Sequence, residues 1–476
     1  MTRPRDDSPH GGGFPKVLVV GHMPFDRSTG TTITLSNLFH GWPKDRLAQV
    51  YTSGAEPSTE VCEEFLQFPP REHYPRPQYL ALRMLGWNGT GPVQNMPALA
   101  AVRDAADRRS TVASWYTHLV ALGDLSPLRL PPRVADWMRQ YRPDLVYSML
   151  GSVRLTRLAA HAARLCGVPL VPHFTDDWPA TLYGRRELWG VAASRLHAAV
   201  RDLIRLAPCG MAISEPMAEE YQRRYGIPFD VFTNSVDADF FAAPPPPVAP
   251  ERDRPTNLVY VGGLHLGRWR SLLSIAAGAA AISTAATPVR LTVHCPTEDA
   301  DRYRREFAGY PGVHFGRSLA SHEVPAVLAA ADILVHVESF AEDTRRYTHY
   351  SVSTKIPQYL AAGRPIFGHG PAELASMAYI RSAAPGSWSE HLSRTWSLSS
   401  CGSCVSTLPP GGSTQATVGR TRSATTDGSG WRRGSPRYSN GPRDRAPHRP
   451  GRGKDCESLR RVDRLCRPVP LPLGRR

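Results

Sequence analysis

Polar and apolar positions along this chain switch repeatedly between two periods. KVLVV (Lys16–Val20) is a short unbroken apolar run, as in a strand covered on both faces. A loop with Gly21, Asp26 and Gly30 follows. Thr31–Phe39 then carries Ile33, Leu35, Leu38 and Phe39 at helical spacing. The same alternation resumes further on. DLVYSML (Asp144–Leu150) predicts a strand and Val153–Cys166 a helix; VPLVPHF (Val168–Phe174) predicts a strand and Glu187–Leu206 a long helix. CGMAIS (Cys209–Ser214) predicts a strand, Glu215–Tyr225 a helix, and Phe229–Asp237 closes the series. From about Glu56 to Pro132 the pattern lapses into Pro, Arg and aromatic residues, read as an irregular insertion with some helix.

Four consecutive prolines in FFAAPPPPVAPERDRPTN (Phe240–Asn257) can join neither a helix nor an interior strand, so this stretch reads as a stiff linker. A second series begins behind it. Its strands are NLVYVGG, VRLTVHC, GVHFG, DILVHV and RPIFG, with helical patterns between them. The run Ser271–Val289 has 19 residues without charge, but Ala, Ser, Thr and Gly dominate it. It predicts a helix packed on a sheet and its following loop, not a membrane span. Two strand–helix series joined by a proline linker predict an α/β chain of two doubly wound units with a cleft between them. Ligands of such sheets bind beyond the carboxyl ends of the strands.

The pattern stops after about Ala384. Residues 381–476 contain no Ile, Phe or Met, and Arg, Ser, Gly and Pro dominate. Too little apolar surface is present to offset ordering entropy. The formal charge of +15 belongs mainly to this tail, which holds 18 basic and 6 acidic side chains and leaves 39 and 36 to the rest. A nearly neutral body without a recognisable module excludes nucleic acid as the expected partner. The cysteine pair of CGSC (Cys401–Cys404) has the spacing of a metal or redox pair but no second pair beside it, so no metal is expected. The cysteines of the body stand singly, and the first residues carry no apolar signal segment, so a reducing, cytoplasmic setting is expected.

Candidate chemistry gathers at glycine-rich strand ends and helix starts. VGGLHLGR (Val261–Arg268) ends a strand, and Gly262 and Gly263 let backbone approach an anion. STKIPQYLAAGRPIFGHGP holds one of the chain's four lysines, Lys355, at a helix start where Ser353 or Thr354 is placed to cap. Free amides and one ammonium then face a single point, as a phosphate site requires. Gly30 and Thr31 open a helix, and with Gly21 they frame the first loop as a second place for an anionic group. HFTDDWP (His173–Pro179) follows a strand and so faces the cleft. There His173 is placed to bond a hydroxyl or assist proton transfer, with Asp176 or Asp177 to orient it or the acceptor.

The order and spacing of these stretches, with AISEPMAEEYQRRYGIPFDVFTNSVDADFF (Ala212–Phe241) and GVHFGRSLASHEVPAVLAAADILVHVES (Gly312–Ser339), resemble the family 4 glycosyltransferases of the GT-B fold over about Lys16–Ile380. The resemblance implies transfer of a sugar from a nucleoside-diphosphate sugar to an acceptor with retention at the anomeric carbon. It implies no metal or other cofactor. Two Rossmann-like domains are implied, at residues 15–241 for the acceptor and 257–383 for the donor. They follow a disordered N-terminus at 1–14 and are joined by the linker at 242–256. The acceptor implied is a glycan, a lipid-linked molecule or a small molecule, with room for peripheral contact at the inner face of a membrane. Arg268 is placed like the family's diphosphate-binding base. Gln358 stands where the family has a glutamate that holds the ribose, and an amide can still donate and accept there. The family's first glutamate falls at Tyr350; Glu342 and Asp343, just upstream, are the acids placed to replace it. Asn234–Asp237 resembles the family's turn before the linker and reads as architectural.

The tail at 384–476 reads as disordered and as a shifted reading frame, because AAPGSWSE, read two bases along in GC-rich codons, gives a Gly-Ala-Gly-Val-Val-Val-Gly stretch like the family's next strand. The donor domain is therefore expected to be incomplete. The alternative to an active transferase is a catalytically impaired nucleotide-sugar-binding or partner protein of the same fold.

Overall fold

The computed structural model describes residues 14–27, 29–84, 111–184, 187–236, 254–383 and 404–407. Their strands form two sheets, one on each side of the proline-rich segment. The first sheet has seven parallel strands: β1 (Val17–Gly21), β2 (Leu47–Tyr51), β3 (Glu64–Gln67), β4 (Leu145–Met149), β5 (Leu170–Phe174), β6 (Gly210–Ala212) and β7 (Phe229–Val231). Their order across the sheet is β3-β2-β1-β4-β5-β6-β7. The second sheet contains β8 (Thr256–Val261), β9 (Val289–His294), β10 (Val313–Phe315), β11 (Ile333–Val337), β12 (Ile366–His369) and β13 (Cys404–Thr407), in the order β10-β9-β8-β11-β12-β13. Each sheet therefore reverses its winding once, between β1 and β4 and between β8 and β11, and those reversals are where doubly wound sheets bind ligands.

The predicted strands appear with shifts of one or two residues at their ends. Helices at Gly30–Leu38, Val153–Cys166 and Glu215–Tyr225 follow their predicted spans closely. Thr29 caps the first with its side chain, Ser152 the second and Ser214 the third. The long helix expected from Glu187 starts at Val191. Leu188 and Trp189 take left-handed backbone angles (φ 50° and 55°), so Glu187–Gly190 forms a separate tight turn. The uncharged 271–289 run is a helix to Ile282 that buries one face through Leu272, Ile275, Ala276 and Ala279. Among the described residues no helix is long and apolar enough to cross a membrane.

In the first sheet, two strands lie where no strand was predicted. β2 (LAQVY) is wholly buried, with Gln49 at its centre. The Gln49 amide is satisfied by the Phe25 N–H it accepts at 2.8 Å and the Met23 carbonyl it donates to at 3.0 Å. β3 (EFLQ) lies at the sheet edge with both ends exposed, so it lacks the apolar signature. The insertion supplies this strand together with helices at Arg76–Met84 and Thr111–Leu125, and a helix at Pro132–Tyr141 follows it. The tail expectation needs correction at four residues: Cys404–Thr407 pairs antiparallel with β12, Val405 opposite Gly368, which closes an otherwise open edge. The rest of 384–476, the N-terminus at 1–13 and most of the linker lie outside the described residues, as does the reading-frame proposal.

The two sheets meet through the loop that precedes Lys355. Ser214 Oγ donates to the Tyr350 carbonyl (2.7 Å), Asn234 Nδ2 to the Val352 carbonyl (3.2 Å) and the Asp177 N–H to the Tyr347 carbonyl (3.2 Å). Phe174, Trp178 and Tyr221 of the first half share one continuous core with Tyr347, Val352 and Ile356 of the second. Asn234 thus has the architectural role expected of its turn.

Candidate functional site

β8 runs into Gly262 and Gly263, and β11, its neighbour, ends beside them at Glu338. Gly262 has φ +136°, a backbone conformation that L side chains rarely adopt, and a Cβ there would stand 2.3 Å from Lys355 Cε. The positive φ is what favours glycine at this position, and a side chain there would also have to displace the end of Lys355. The space the glycine leaves is filled by the Lys355 side chain, which reaches back from a later helix, Lys355–Ala361. Lys355 Nζ donates to Tyr260 Oη at 2.8 Å and lies 4.2 Å from that ring's centroid.

Arg268, the first residue of the Arg268–Ile282 helix, joins the same cluster. Its side chain is 12% exposed, and Nη2 is 3.5 Å from Glu338 Oε2. Burial and the Arg268 guanidinium depress the Lys355 ammonium well below its ordinary pKa, and Glu338 and Asp299 resist the shift. Burial works against the charge of Glu338 too. Arg268, His336 at 3.1 Å and Lys355 nevertheless hold its carboxyl down to about 2. An arginine, a lysine and one carboxylate are thus enclosed at the winding reversal of the second sheet, an arrangement suited to an anion whose charge favours the protonated lysine.

The loop before Lys355 differs in one detail from its reading in the sequence. Neither Ser353 nor Thr354 caps the helix with its side chain: Thr354 lies at the cap position in helical conformation without such a bond, and Ser353 N–H donates to Ser376 Oγ at 3.1 Å. The Thr354 hydroxyl instead faces Gly30, where a Cβ would be 3.3 Å from Thr354 Oγ1. The helix start of the first half, Gly30 and exposed Thr31, therefore abuts the helix start of the second. Gly21 ends β1 and is buried, in register with Tyr51 of β2. Gln358 stands one turn beyond Lys355 and is half-buried.

His173 is the fourth residue of β5 and is 1% exposed. Its Nδ1 shares a hydrogen bond with Tyr147 Oη (2.7 Å), and burial drops the imidazole to about 3, so it is neutral near pH 7. Nε2 has no partner among the described residues. Asp176 accepts from Ser351 Oγ at 2.6 Å and from Thr175 Oγ1 at 3.2 Å; it also pairs with Tyr347 and feels the field of Arg268. Burial raises its carboxyl above the usual range.

Asp177 does not share that position and needs a correction. It is turned into the first half, where Arg224 grips it at 2.7 and 3.0 Å and Tyr221 Oη donates at 2.9 Å. This is a buried structural ion pair, fixed by the Glu215–Tyr225 helix. Glu342 also departs from its expected place. It starts a surface helix, Glu342–Thr348, and is exposed, whereas the acid beside the two cations is Glu338. Tyr350, at the position of the family's first glutamate, packs against His349 and the Arg224 guanidinium instead. Among the described residues no group of His, Cys, Asp and Glu is arranged to hold a metal ion.

Glu338 is the residue that sequence reasoning passed over. Its signal was an acid directly after the apolar run DILVHV, with His336 inside that run. A polar residue in a fully buried strand needs a partner, and the partner was the visible clue.

Comparison with known proteins bears on the family and the fold. Residues 99–240 match the family model described as Glycosyltransferase Family 4. No curated protein matches the chain. Among solved structures, the α,α-trehalose 6-phosphate synthase of Burkholderia multivorans aligns with a TM-score of 0.50 at 11% identity, over 81% of this chain and 90% of that one. The UDP-forming α,α-trehalose-phosphate synthase of Burkholderia vietnamiensis gives 0.47 at 14%, over 76% and 86%. Anabaena HepE in complex with UDP gives 0.46 at 14%, over 81% and 92%. The chain carries a glycosyltransferase family 4 match on an α/β framework of parallel sheets, and that framework is the GT-B fold.

Proposed function

We propose that this protein transfers a sugar from a nucleoside-diphosphate sugar to an acceptor hydroxyl, with retention at the anomeric carbon. The observation that carries the reading is that Lys355 lies against bare Gly262 at the end of β8, within the field of the buried Arg268 guanidinium. When the glycosidic bond breaks, negative charge develops on the departing diphosphate. Two enclosed cations beside backbone that a Cβ would block are suited to receive it. Gly263, Ser353 and Thr354 border the diphosphate from the donor side, and Gly21, Gly30 and Thr31 border it from the other. Gln358 holds the ribose through its amide. His173, neutral and with Nε2 unpartnered, bonds a sugar hydroxyl, and Asp176, facing Arg268, orients the acceptor. The acceptor is a glycan, a lipid-linked molecule or a small molecule, and the cations do the work that a metal does elsewhere.

Calorimetric titration of the full chain with a panel of nucleoside-diphosphate sugars tests the reading. Binding of at least one is expected, weakened roughly tenfold to a hundredfold by Arg268→Ala or Lys355→Met, the range for lost charge-assisted hydrogen bonds. Binding that ignores both substitutions would place the donor elsewhere. Product anomers from the transfer reaction, read by NMR, decide retention, and unchanged turnover with a chelator present is expected.

A further inference from the structure

The residues that hold a catalytic cation matter as much as the cation itself, and here one of them is an uncharged side chain that no motif marks. Tyr260 is the fifth residue of β8 and is fully buried. Its hydroxyl donates to the Gly263 carbonyl at 2.6 Å. That bond commits its only proton, so toward Lys355 the phenol oxygen offers a lone pair, and Nζ donates to it at 2.8 Å. The ammonium also lies 4.2 Å from the ring centroid, within cation–π range. On its other flank, Lys355 Cε and Nζ occupy the space a side chain at Gly262 would need. The lysine is thus clamped between a phenol and a bare stretch of backbone.

We propose that Tyr260 is the positioning residue of this site, holding the Lys355 ammonium across Gly262 where the diphosphate of a nucleotide sugar binds. The inference rests on the donor-site reading above and deepens it. Charged and titratable groups face Lys355 from each element around it. Arg268 on the following helix repels it, while Glu338 at the end of β11 and Asp299 on the Thr297–Tyr303 helix attract it through space. His265 in the glycine loop and His336 on β11 both feel its charge, and burial keeps both imidazoles below their ordinary range. Against burial and Arg268, the Tyr260 oxygen is the acceptor that directly stabilises the charged form. Binding of an anion favours that form further. Affinity is therefore constant while Lys355 is protonated in the empty site and falls as pH rises past that point.

Removing the acceptor moves that point downward. Titrations of UDP-glucose, GDP-mannose, ADP-glucose and dTDP-glucose into the full chain, from about pH 6 to pH 9, read both affinity and its pH profile. Tyr260→Phe is expected to bind about tenfold more weakly, with the onset of the fall about one pH unit lower, as for one lost hydrogen bond to a charged group. In a Lys355→Met background the same change is expected to add nothing. Tyr359→Phe is the control. Tyr359 is the other buried phenol at this strand end, and its oxygen accepts from the Val261 N–H at 3.1 Å. It is expected to leave the pH profile in place. A Tyr260→Phe protein with wild-type affinity and profile overturns the proposal, and so does an equal loss with or without Lys355. Should Tyr260→Phe not fold, Tyr260→Met serves, and an affinity loss that is equal with or without Lys355 overturns the proposal. If none of the four sugars binds the wild type, the donor-site reading fails. Binding without these dependences defeats the positioning role alone.

Discussion

His73 offers a clean test of how burial sets the acid stability of this fold. It sits 4% exposed between Phe68 and Tyr74, with ring centroids 5.0 and 4.9 Å away. Neither ring nitrogen has a hydrogen-bond partner among the described residues. Burial, helped by the nearby Arg154 guanidinium, lowers the imidazole to about 3 from an ordinary 6.5. The unfolded chain therefore binds a proton here between those two values and the folded chain does not, so stability is lost as pH falls through 6.5 toward 3. At pH 5 the deficit is about 1.5 units, or about 2 kcal/mol for this residue. His173, lowered to about 3, and His22, lowered to about 4, act in the same sense and by a similar amount. Asp124 and Asp176, raised by burial, oppose the trend, so the total slope is less informative than a single substitution. His73→Phe removes one contribution while keeping an aromatic ring in the stack. Urea unfolding of wild type and variant at pH 7 and pH 5 gives two stability differences. The variant is expected to gain about 2 kcal/mol relative to wild type between the two pH values, whatever its offset at pH 7. A difference that does not change with pH would refute the reasoning that burial keeps this histidine neutral.

Two further substitutions probe the site and its frame. Gly262→Ala forces a side chain into a left-handed conformation and against Lys355 Cε, so a loss of about 1–3 kcal/mol in thermal or urea unfolding is expected together with weakened nucleotide-sugar binding; full binding in this variant would mean that Lys355 does not need the space. Arg224→Met leaves Asp177, 6% exposed, with its charge unpaired, and about 3–5 kcal/mol of stability is expected to go; a loss below about 1 kcal/mol in urea unfolding would show that the pair is not the buried bracket described.

What could be read from the sequence divides along a physical line. Strands such as β1 and β11 announce themselves because both faces are covered, so nearly every position is apolar and no distant partner is needed to see it. Gly262 and Lys355 were legible for a similar reason: glycine at a strand end and a scarce lysine at a helix start each imply a local backbone geometry. β2 escaped because Gln49 interrupts it, and only the Phe25 N–H and Met23 carbonyl of the first loop make a buried amide tolerable there. Asp176 and Asp177 are adjacent and chemically identical. What separates them is Arg224, 47 residues beyond Asp177, which claims one and leaves the other facing Ser351 and Arg268. Glu338 follows the same logic: after an apolar strand, an acid reads as the first solvated residue of a loop, and Arg268, His336 and Lys355 make its burial tolerable. Charges carry no periodicity, and their cost or benefit is set by partners that arrive from other elements. What propensity and pattern could not supply is therefore which acids are buried at this site and which cations they face.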